Sequence, residues 1–334
     1  FRNVTGVQTC ALPICTGPAA EVLTVGEMPD PQPAPGEVRV RLEWSGINPS
    51  DVKSRAGLRS KTLAFARIVP HSDGAGVIDA VGDGVDRARV GERVWVWNAA
   101  WGRPFGTAAQ YVCLPQAQAV PLPGRVSGEA GACMGIPALT ALHAVRVHGG
   151  VQGQRVLVAG GAGAVGHYAI QMCRLLCASQ IIATVSSEAK ATHAHAAGAD
   201  VTVNYREADA AQRIVQASAG GVDRVIEVDA AANAELDAQV LKPGGLNVIY
   251  GSGAPQVAAP FFPMIVKNLC MQYFIVYNLS AADRQCAQAQ LQRWLELDVL
   301  RHAIAQRHAL ADIARAHEQV ESGRVIGNVV LSLP

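Results

Sequence analysis

A run of apolar residues near the middle of the chain breaks into glycines and then resumes at helical spacing. It reads RVLVAGGAGAVGHYAIQMC over residues 155–173 and contains Gly161, Gly163 and Gly166 as a GxGxxG pattern. The chain has 33 glycines, so the pattern alone carries little weight. Its context is more specific, because a strand (VLVA) precedes the glycines, a helix follows them, and IIATV predicts a second strand. The phosphate-binding turn of a dinucleotide-binding unit requires this order.

Glycines at such a turn let the backbone approach a pyrophosphate, whose charge is met by free N–H groups and the helix dipole. The alternative is a strand–helix turn without a ligand. An NAD site usually offers a carboxylate to the ribose about 20 residues after the glycines, but Ser186 and Ser187 stand there. A carboxylate would repel the extra phosphate of NADPH, whereas hydroxyl groups would not, and Lys190 is placed to pair with that phosphate. NADPH is favoured; a solvated Lys190, or Glu188 as the ribose ligand, are the alternatives.

The bulk composition excludes several classes of partner. A chain of 334 residues corresponds to about two domains. Only 16% of the residues are charged and the formal net charge is +1, which gives no reason to expect a nucleic acid or an anionic membrane surface as partner. No apolar stretch reaches the roughly 18 residues of a membrane span. The eight cysteines lack the spacing of a disulfide scaffold or a zinc site, so we expect reduced thiols in a cytoplasmic protein. The near-neutral charge favours a small-molecule ligand.

The first fourteen residues, FRNVTGVQTCALPI, differ from the rest of the chain. They form no signal peptide and match neither neighbouring periodicity. Residues 7–14 resemble the translation of a sequencing-library adaptor. We therefore expect residues 1–14 to be non-native, with native sequence beginning near Cys15 or Gly17 and the original first strand overwritten. Restoring a native start should then raise the melting temperature.

Before about residue 123 the chain shows short β-like runs between Gly, Pro and Asp turns. The pattern VRVRLEW at 38–44 alternates apolar and polar residues, which is typical of a half-buried strand. Further runs at 76–81, 93–97 and 108–114 predict a small, mostly antiparallel barrel or sandwich.

After this point the pattern changes to alternating helices and strands. Ser127 precedes a helical pattern that continues to about Val147. The predicted strands that follow are 155–159, 180–185, 200–203, 222–228 and 246–250, with helices beginning near Gly163, Glu188, Glu207 and Asn233. Such alternation predicts an α/β fold with a parallel, doubly wound sheet covered on both faces.

Residues 269–277 (LCMQYFIVY) predict one more strand, without polar alternation. An edge strand this apolar is an aggregation risk unless it is covered. Pairing with a second subunit would cover it, so we expect a homodimer or homotetramer. Two amphipathic helices, near 280–300 and 310–322, and the strand RVIGNVVLSL close the chain.

Four stretches occur together in this sequence: SGINPSDVKSRAG, HSDGAGVIDAVGDGVDRARVGERVW, GIPALTALHAV and the glycine turn. In this order they resemble the medium-chain dehydrogenase/reductase superfamily, and within it the zinc-free NADPH:quinone oxidoreductase (zeta-crystallin-like) branch. The resemblance runs from Gly17 onward. It implies a GroES-like, mostly-β catalytic domain of residues 1–123 and 277–334 around an inserted Rossmann NADPH-binding domain of residues 124–276.

Zinc-dependent members of this superfamily bind the metal through a cysteine of the first stretch and a histidine of a GHE-type motif. The corresponding positions here are Asn48 and Ser72, and His71 lies one residue away. One displaced imidazole does not make a tetrahedral site, so no metal is expected and the Lewis-acid route is closed. The resemblance then implies a quinone or activated alkene as substrate, reduced by hydride from NADPH.

The resemblance also assigns site residues. It places Asn48 at the nicotinamide end, gives Asp51 a role in ordering the pocket, and puts Lys53 where the branch has a tyrosine, so that Lys53 could bind phosphate or donate a proton. Turn and helix-cap chemistry is the alternative for Asn48 and Asp51. Implied cofactor contacts, besides Asn48 and Lys53, are the phosphate turn (Ala162, Gly163, Ala164, Val165, Gly166), the 2′-phosphate pocket (Ser186, Lys190), the adenosine side (Tyr205), the ribose and nicotinamide wall (Asn233, Tyr250, Gly251, Ser252, Gly253), the carboxamide (Thr140) and the tail (Arg324).

Several other features have ordinary explanations beside functional ones. Thr140 could be a buried helical threonine and Arg324 a surface arginine. Cys173 and Cys177 predict core filling rather than redox chemistry. A tryptophan cluster, Trp95, Trp97 and Trp101, is consistent with stacking on a quinone or with barrel packing.

The leading hypothesis is therefore a cytoplasmic, metal-independent NADPH:quinone or alkene reductase. One alternative is a reductase of enals or enoyl thioesters. Another is a low-turnover NADPH-binding protein of crystallin-like or RNA-associated type, although the near-neutral charge argues against RNA.

Overall fold

The computed structural model describes residues 6–334, and the chain divides into two compact units. The first unit comprises Phe1–Pro137 and Gln292–Pro334, and the second comprises Ala138–Leu291. Both divisions fall later in the chain than the boundaries predicted at 123 and 276. No helix within residues 6–334 is both long and apolar enough to cross a membrane.

The first unit begins with β-strands and short helices. These are β1 (Val7–Pro13), α1 (Ala19–Val22), β2 (Leu23–Pro29), β3 (Glu37–Ile47), α2 (Pro49–Arg55), β4 (Asp73–Val81), β5 (Arg93–Val96), β6 (Tyr111–Pro115), β7 (Ala119–Pro121) and α3 (Gly128–Gly131).

The second unit alternates strands with helices. Its elements are α4 (Leu139–Arg146), β8 (Arg155–Val158), α5 (Ala164–Leu175), β9 (Gln180–Val185), α6 (Glu188–Ala197), β10 (Val201–Asn204), α7 (Ala210–Ala217), β11 (Val222–Glu227), α8 (Ala230–Val240), β12 (Leu241–Ile249), α9 (Phe261–Val266) and β13 (Cys270–Tyr273). Helix α10 (Ala281–Glu296) crosses the division, and β14 (Ile304–Ala309), α11 (Ile313–Glu321) and β15 (Asn328–Ser332) return to the first unit.

Strand β3 is the centre of the first unit's sheet. The strand order is β14-β15-β3-β4-β5-β7, and β6 also pairs with β3. Val38, Val40 and Leu42 point into the core and are at most 1% exposed, as the period-2 pattern predicts. Because β15 pairs with β3, the C-terminal tail completes a sheet built mostly from the N-terminal part of the chain.

The second unit contains the predicted parallel sheet. Its order is β10-β9-β8-β11-β12-β13, and every pairing in it is parallel. The order reverses direction between β8 and β11, which is the point where doubly wound sheets bind their ligands. The predicted α/β fold class is confirmed.

The helix predicted from Ser127 to about Val147 is wrong as one element. The structure has α3, a wide π-type turn at Met134–Ala138, and then α4. Pro137 lies inside the turn and has no N–H to donate. The N–H of Ile136 donates to Asp73 Oδ2 at 2.8 Å rather than to a carbonyl of its own helix. The helix is thus interrupted where a carboxyl from β4 takes one of its backbone donors.

The predicted strand at 269–277 is shorter than expected. Strand β13 ends at Tyr273, and Val276–Asn278 form a 3₁₀ turn. The ring of Phe274 packs against His143 with centroids 4.6 Å apart, and Val276 and Tyr277 are buried, which draws the chain away from the sheet edge. Only four residues of the predicted nine therefore extend the sheet.

The adaptor-like segment occupies a strand position. β1 pairs antiparallel with β2 over residues 7–13, Cys10 and Ala11 are fully buried, and Ala11 N donates to Ala108 O at 2.9 Å. Main-chain hydrogen bonds do not depend on side-chain identity, and small buried side chains fit many cores. The strand is therefore part of the packed core. That residues 1–14 are non-native stays a prediction.

We expect deletion of residues 1–14 to lower the melting temperature by about 5 °C or more, because it removes a core strand and exposes the edge of β2. Thermal unfolding followed by circular dichroism measures this. A variant lacking only residues 1–5 keeps all of β1 and is the control. Equal melting temperatures for the two deletions would show that β1 adds nothing to stability.

Candidate active site

The glycine turn between β8 and α5 is too tightly packed for side chains. A Cβ on Gly166 would lie 2.3 Å from the carbonyl oxygen of Gly160, and one on Gly161 would lie 2.7 Å from the Cβ of Ala183. Gly160 itself has φ +65°, in the left-handed region that favours glycine. The glycines are thus required by the path of the chain.

The turn has the features of an anion site. Ala164, Val165 and Gly166 are the first residues of α5, so their N–H groups have no acceptor within the helix. They lie at the carboxyl end of β8, beside the switch point of the sheet. A diphosphate placed there would receive backbone hydrogen bonds and the positive end of the helix dipole. The residues present therefore fit a dinucleotide.

Thr184 on β9 holds the turn in place, and sequence reasoning missed it. Its Oγ1 accepts from Gly160 N at 3.0 Å, and its carbonyl oxygen accepts from Gly161 N at 3.0 Å. The sequence feature that could have indicated this role is the single hydroxyl residue in the apolar run IIATV, on the strand that pairs with β8. Thr184 is buried, so it acts on the backbone of the turn.

The predicted 2′-phosphate residues lie together at the end of β9. Ser186 follows the strand, Lys190 lies in the first turn of α6, and both are partly buried. Ser187 caps α6, with its Oγ accepting from Lys190 N at 3.4 Å. Tyr205, after β10, joins them because its N–H donates to Val185 O at 3.1 Å, and its side chain is 46% exposed.

The ends of β11 and β12 form a second wall at the same sheet edge. Asn233 on α8 donates from Nδ2 to Glu227 Oε1 at 2.9 Å. Gly253 N donates to Asp229 Oδ1 at 2.6 Å, and Ala230 N donates to Gly251 O at 3.1 Å. A Cβ on Gly251 would lie 2.2 Å from the carbonyl of Val228. The structure thus brings the predicted wall residues together.

The remaining wall residues have clear positions. Tyr250 N donates to Glu227 O at 3.1 Å, and burial raises the pKa of the Tyr250 hydroxyl. Ser252 Oγ donates to Ala254 O at 2.7 Å. Thr140 is the second residue of α4 and is buried.

In the first unit, Asn48 lies between two carboxyl groups. It caps α2, and its N–H donates to Asp51 Oδ2 at 2.8 Å, so the helix-cap alternative is confirmed. Its side-chain Nδ2 donates to Asp73 Oδ2 at 2.9 Å. Lys53 lies on the same helix and is partly buried. Asn48 is therefore fixed by two hydrogen bonds, one from its main-chain N–H and one from its side-chain amide.

Both acids favour the neutral form. Burial raises the pKa of Asp51 to about 7. Burial, and then the charge of Asp51, raise the pKa of Asp73 well above its usual range. Sequence reasoning missed Asp73, although the motif HSDG places an acid directly after Ser72. Because Asp73 also accepts the N–H of Ile136, it joins α2 to the turn before α4.

A buried chain of hydrogen bonds runs from the C-terminal helix α11 to Asp73. His317 and His71 meet Nε2 to Nε2 at 2.8 Å, and His71 Nδ1 lies 2.9 Å from Ser45 Oγ. Ser45 Oγ lies 2.8 Å from Thr107 Oγ1, which donates to Asp73 O at 2.6 Å.

The main-chain carbonyl of Asp73 fixes the direction of these hydrogen bonds, because a carbonyl oxygen can only accept. Thr107 uses its one proton on that carbonyl, so Ser45 must donate to Thr107 and accept from His71 Nδ1–H. His71 Nε2 is then an acceptor, and His317 Nε2–H donates to it. His71 is therefore neutral, in agreement with burial, which lowers its pKa. His317 is neutral as well, because its Nδ1 is buried without an acceptor among the described residues and burial, with Arg55 as second cause, lowers its pKa to about 3.

Other predicted residues lie apart from these groups. Arg324 is exposed, beside an open surface cavity of about 670 Å³ that Arg315 and Gln319 also line. Cys173 is fully buried on α5, which confirms the core-filling prediction for this residue, and burial raises its pKa to about 12. The same prediction is wrong for Cys177, which is exposed because α5 ends at Leu175. Trp95 is fully buried on β5, in agreement with barrel packing, whereas Trp101 is 39% exposed.

The donor chemistry at the positions expected for zinc ligands does not fit zinc. The Asn48 amide nitrogen is a hydrogen-bond donor, and Ser72 offers only a buried hydroxyl. Within residues 6–334, no three His, Cys, Asp or Glu side chains form a group that could hold a metal ion.

We expect the histidine pair to make the protein less stable as the pH falls. The unfolded histidines gain protons below about pH 6.5, but the folded ones resist protonation, so stability is complete above that pH and declines below it. His317→Gln keeps a donor and removes one titrating group. The drop in unfolding free energy between pH 7.5 and 5.5 should be smaller in the variant by about 1 kcal/mol.

Urea unfolding at the two pH values measures this difference. Changes from buried carboxyls are common to both proteins and cancel in the comparison. His195→Gln, at an exposed histidine on α6, is the matched control and should follow the wild type. An identical pH dependence in His317→Gln and wild type would contradict the neutral pair.

Comparisons with known proteins agree with this geometry. The model of the family described as "Alcohol dehydrogenase GroES-like domain" matches residues 34–124, and that described as "Zinc-binding dehydrogenase" matches residues 164–293. The quinone oxidoreductase of Lama guanicoe is 30% identical over 308 residues, covering 91% of each chain.

Two solved structures are similar over nearly the whole chain. One is described as an NAD-dependent alcohol dehydrogenase, with a TM-score of 0.89, 31% identity, and coverage of 98% of this chain and 100% of the other. The second is a mycobacterial protein complexed with NADPH, with a TM-score of 0.87, 27% identity and the same coverage. On its motifs, its sheet order and these relatives, the chain belongs to the medium-chain dehydrogenase/reductase superfamily, in its quinone oxidoreductase branch, and is an oxidoreductase.

Proposed function

We propose that this protein is a zinc-independent, NADPH-dependent reductase of quinones or activated alkenes. The observation that carries the coenzyme choice is that Ser186 and Ser187 follow β9, where an NAD site usually has a carboxylate, and that Lys190 lies in the first turn of α6. One similar structure is described as NAD-dependent and another is complexed with NADPH, so the choice rests on this chain's own residues.

The coenzyme supplies a hydride when bound, and the protein supplies binding and orientation. The first N–H groups of α5 bind the diphosphate, and Ser186 and Lys190 bind the 2′-phosphate. Asn233 and the segment from Tyr250 to Gly253 line the ribose and nicotinamide. By the family resemblance, Asn48 contacts the nicotinamide end and Thr140 the carboxamide.

Proton supply to the reduced acceptor falls to side chains of α2. Asp51, whose pKa is raised to about 7, can hold a proton near neutral pH. Lys53 takes the position of the branch tyrosine and is the second donor we propose. A quinone needs little polarisation, so this arrangement operates without a Lewis acid, in keeping with the poor fit of Asn48 and Ser72 to zinc.

We propose a homodimer, formed through the edge of the second unit's sheet. β13 is the last strand, and nearby apolar side chains are well exposed: Phe261 (71%), Phe262 (74%), Ile265 (54%), Val266 (65%) and Tyr273 (55%). Exposed apolar patches beside an open strand edge are typical of protein interfaces. The near-neutral charge favours small molecules over nucleic acid as the other partner, and we propose a cytoplasmic location.

Purified protein should oxidise NADPH in the presence of 1,4-benzoquinone or 9,10-phenanthrenequinone, followed by absorbance at 340 nm. Prior dialysis against a chelator should leave the rate unchanged. Faster turnover of enals or enoyl thioesters would assign the alternative reductase activity. Binding of NADPH without turnover of any acceptor in the panel would contradict the proposed reaction.

Lys190→Ala should raise the Kd for NADPH about tenfold or more, because it removes a charge-assisted contact to the 2′-phosphate. The Kd for NADH, which lacks that phosphate, should change less than about twofold. Coenzyme fluorescence on titration measures both. Lys190→Arg keeps the charge and is the control; equal losses for NADPH and NADH would place Lys190 outside the phosphate pocket.

A further inference from the structure

Two buried carboxyl groups lie behind the cofactor wall of the second unit, and neither has a role in the proposed function. Glu227 ends β11 and is 0% exposed, and Asp237 on α8 is 1% exposed. Their side chains are hydrogen-bonded to each other. Two ionised carboxylates cannot form such a bond, since neither has a proton to donate.

The partners of the four carboxyl oxygens locate the shared contact. Glu227 Oε1 accepts from Asn233 Nδ2 at 2.9 Å and from the N–H of Asp229. Asp237 Oδ2 accepts from Asn247 Nδ2 at 2.7 Å. Glu227 Oε2 and Asp237 Oδ1 are buried and receive no N–H or hydroxyl donor within residues 6–334. Each carboxyl group therefore has one buried oxygen without a donor, and these are the two oxygens available for the contact between the side chains.

We propose that Asp237 is a positioning residue that acts through Glu227: the proton between Asp237 Oδ1 and Glu227 Oε2 fixes the Glu227 carboxylate, which in turn fixes the Asn233 amide and the Asp229 main chain. The proposal rests on the proposed function, because Asn233 and the Asp229–Gly253 contact belong to the proposed cofactor wall. Loss of the proton leaves two adjacent buried charges, which repel and release Asn233.

The electrostatics of the surroundings agree with this arrangement. Burial, and then the charge of Glu227, raise the pKa of Asp237 to about 8, and burial raises the pKa of Glu227. Hydrogen bonds from the Asp229 N–H and from Asn233 lower the pKa of Glu227, and the charge of Asp229 raises it by less. The Tyr250 hydroxyl lies within the electrostatic reach of Glu227.

The cations of the neighbouring elements are engaged elsewhere. Lys267, after α9, donates to the carbonyls of Ala238, Gln239 and Leu241 at the end of α8. Arg213 on α7 pairs with Glu207. On β11, the Arg224 guanidinium donates to carbonyls between residues 144 and 150, and on β12, Lys242 pairs with Asp223. The proton is therefore what relieves the repulsion between Glu227 and Asp237.

The sign of the pH effect follows from the raised pKa. Between about pH 4 and pH 8 the folded state keeps a proton that the unfolded chain has lost, so stability declines as the pH rises through this range. Asp237→Asn replaces the carboxyl by an amide that donates to Glu227 and accepts from Asn247 at every pH. In Glu227→Gln the new side-chain amide donates to Asp237 in the same way, and this variant replaces the first if Asp237→Asn fails to fold.

The cofactor-free proteins are first compared by melting temperature between pH 6.5 and 9. The wild type should lose stability with rising pH, Asp237→Asn or Glu227→Gln should lose less, and Glu235→Gln, at an exposed acid of the same helix, should follow the wild type. Parallel losses in all of these proteins would overturn the shared proton.

The Kd for NADPH is then measured by coenzyme fluorescence at pH 7 and pH 9. It should rise about tenfold in the wild type, since only about a tenth of the molecules keep a proton one unit above a pKa near 8, and less than about twofold in Asp237→Asn. Equal rises in both would overturn the positioning role. A wild type that binds no nicotinamide coenzyme at either pH would contradict the proposed function, and the melting temperatures would still decide whether the proton is shared.

Discussion

The second unit depends on one close contact, between the first turn of α5 and the end of β8. Gly166 lies so near the carbonyl of Gly160 that no side chain fits between them. This contact fixes the start of α5 at the carboxyl end of β8, where its first N–H groups have no acceptor within the helix. Thr184 secures the turn from the adjacent strand with two hydrogen bonds. The features that suit an anion, free N–H groups at a helix N-terminus, therefore come from backbone packing and not from a charged side chain.

In the first unit a single residue has the equivalent role. The side chain of Asp73 holds Asn48 and the Ile136 N–H, and its carbonyl ends the chain of hydrogen bonds that begins at His317. Strand β4, helix α2, the turn before α4 and helix α11 thus converge on one buried acid. Its position on a central strand gives it access to all of them, and the hydrogen bond to its Oδ2 fixes the Asn48 side chain.

Burial shifts the pKa of polar groups in both units. Asp51, Asp73 and Asp237 have raised pKa values, and His71 and His317 have lowered ones, with burial as the largest cause in each. Each group therefore favours its neutral form, in which a carboxyl can donate as well as accept. Neutral networks of this kind hold side chains in place without the desolvation cost of buried charge.

The sequence by itself determined the α/β class, the parallel sheet and the glycine turn, because strand–helix alternation and glycine spacing are local patterns. The family resemblance assigned Ser186, Lys190, Asn233 and the segment after β12 to the cofactor, and the parallel sheet brings these segments to one edge because its strands end on the same side. Only the tertiary structure decided that Asp73 breaks the helix predicted at 127–147 and that β13 stops at Tyr273. It also decided that Thr184, His317 and Asp237 contact the glycine turn, His71 and Asn247, respectively. Those roles depend on contacts between residues distant in sequence, from Asn48 to Asp73 or from His71 to His317, and no local pattern encodes which buried polar groups will meet.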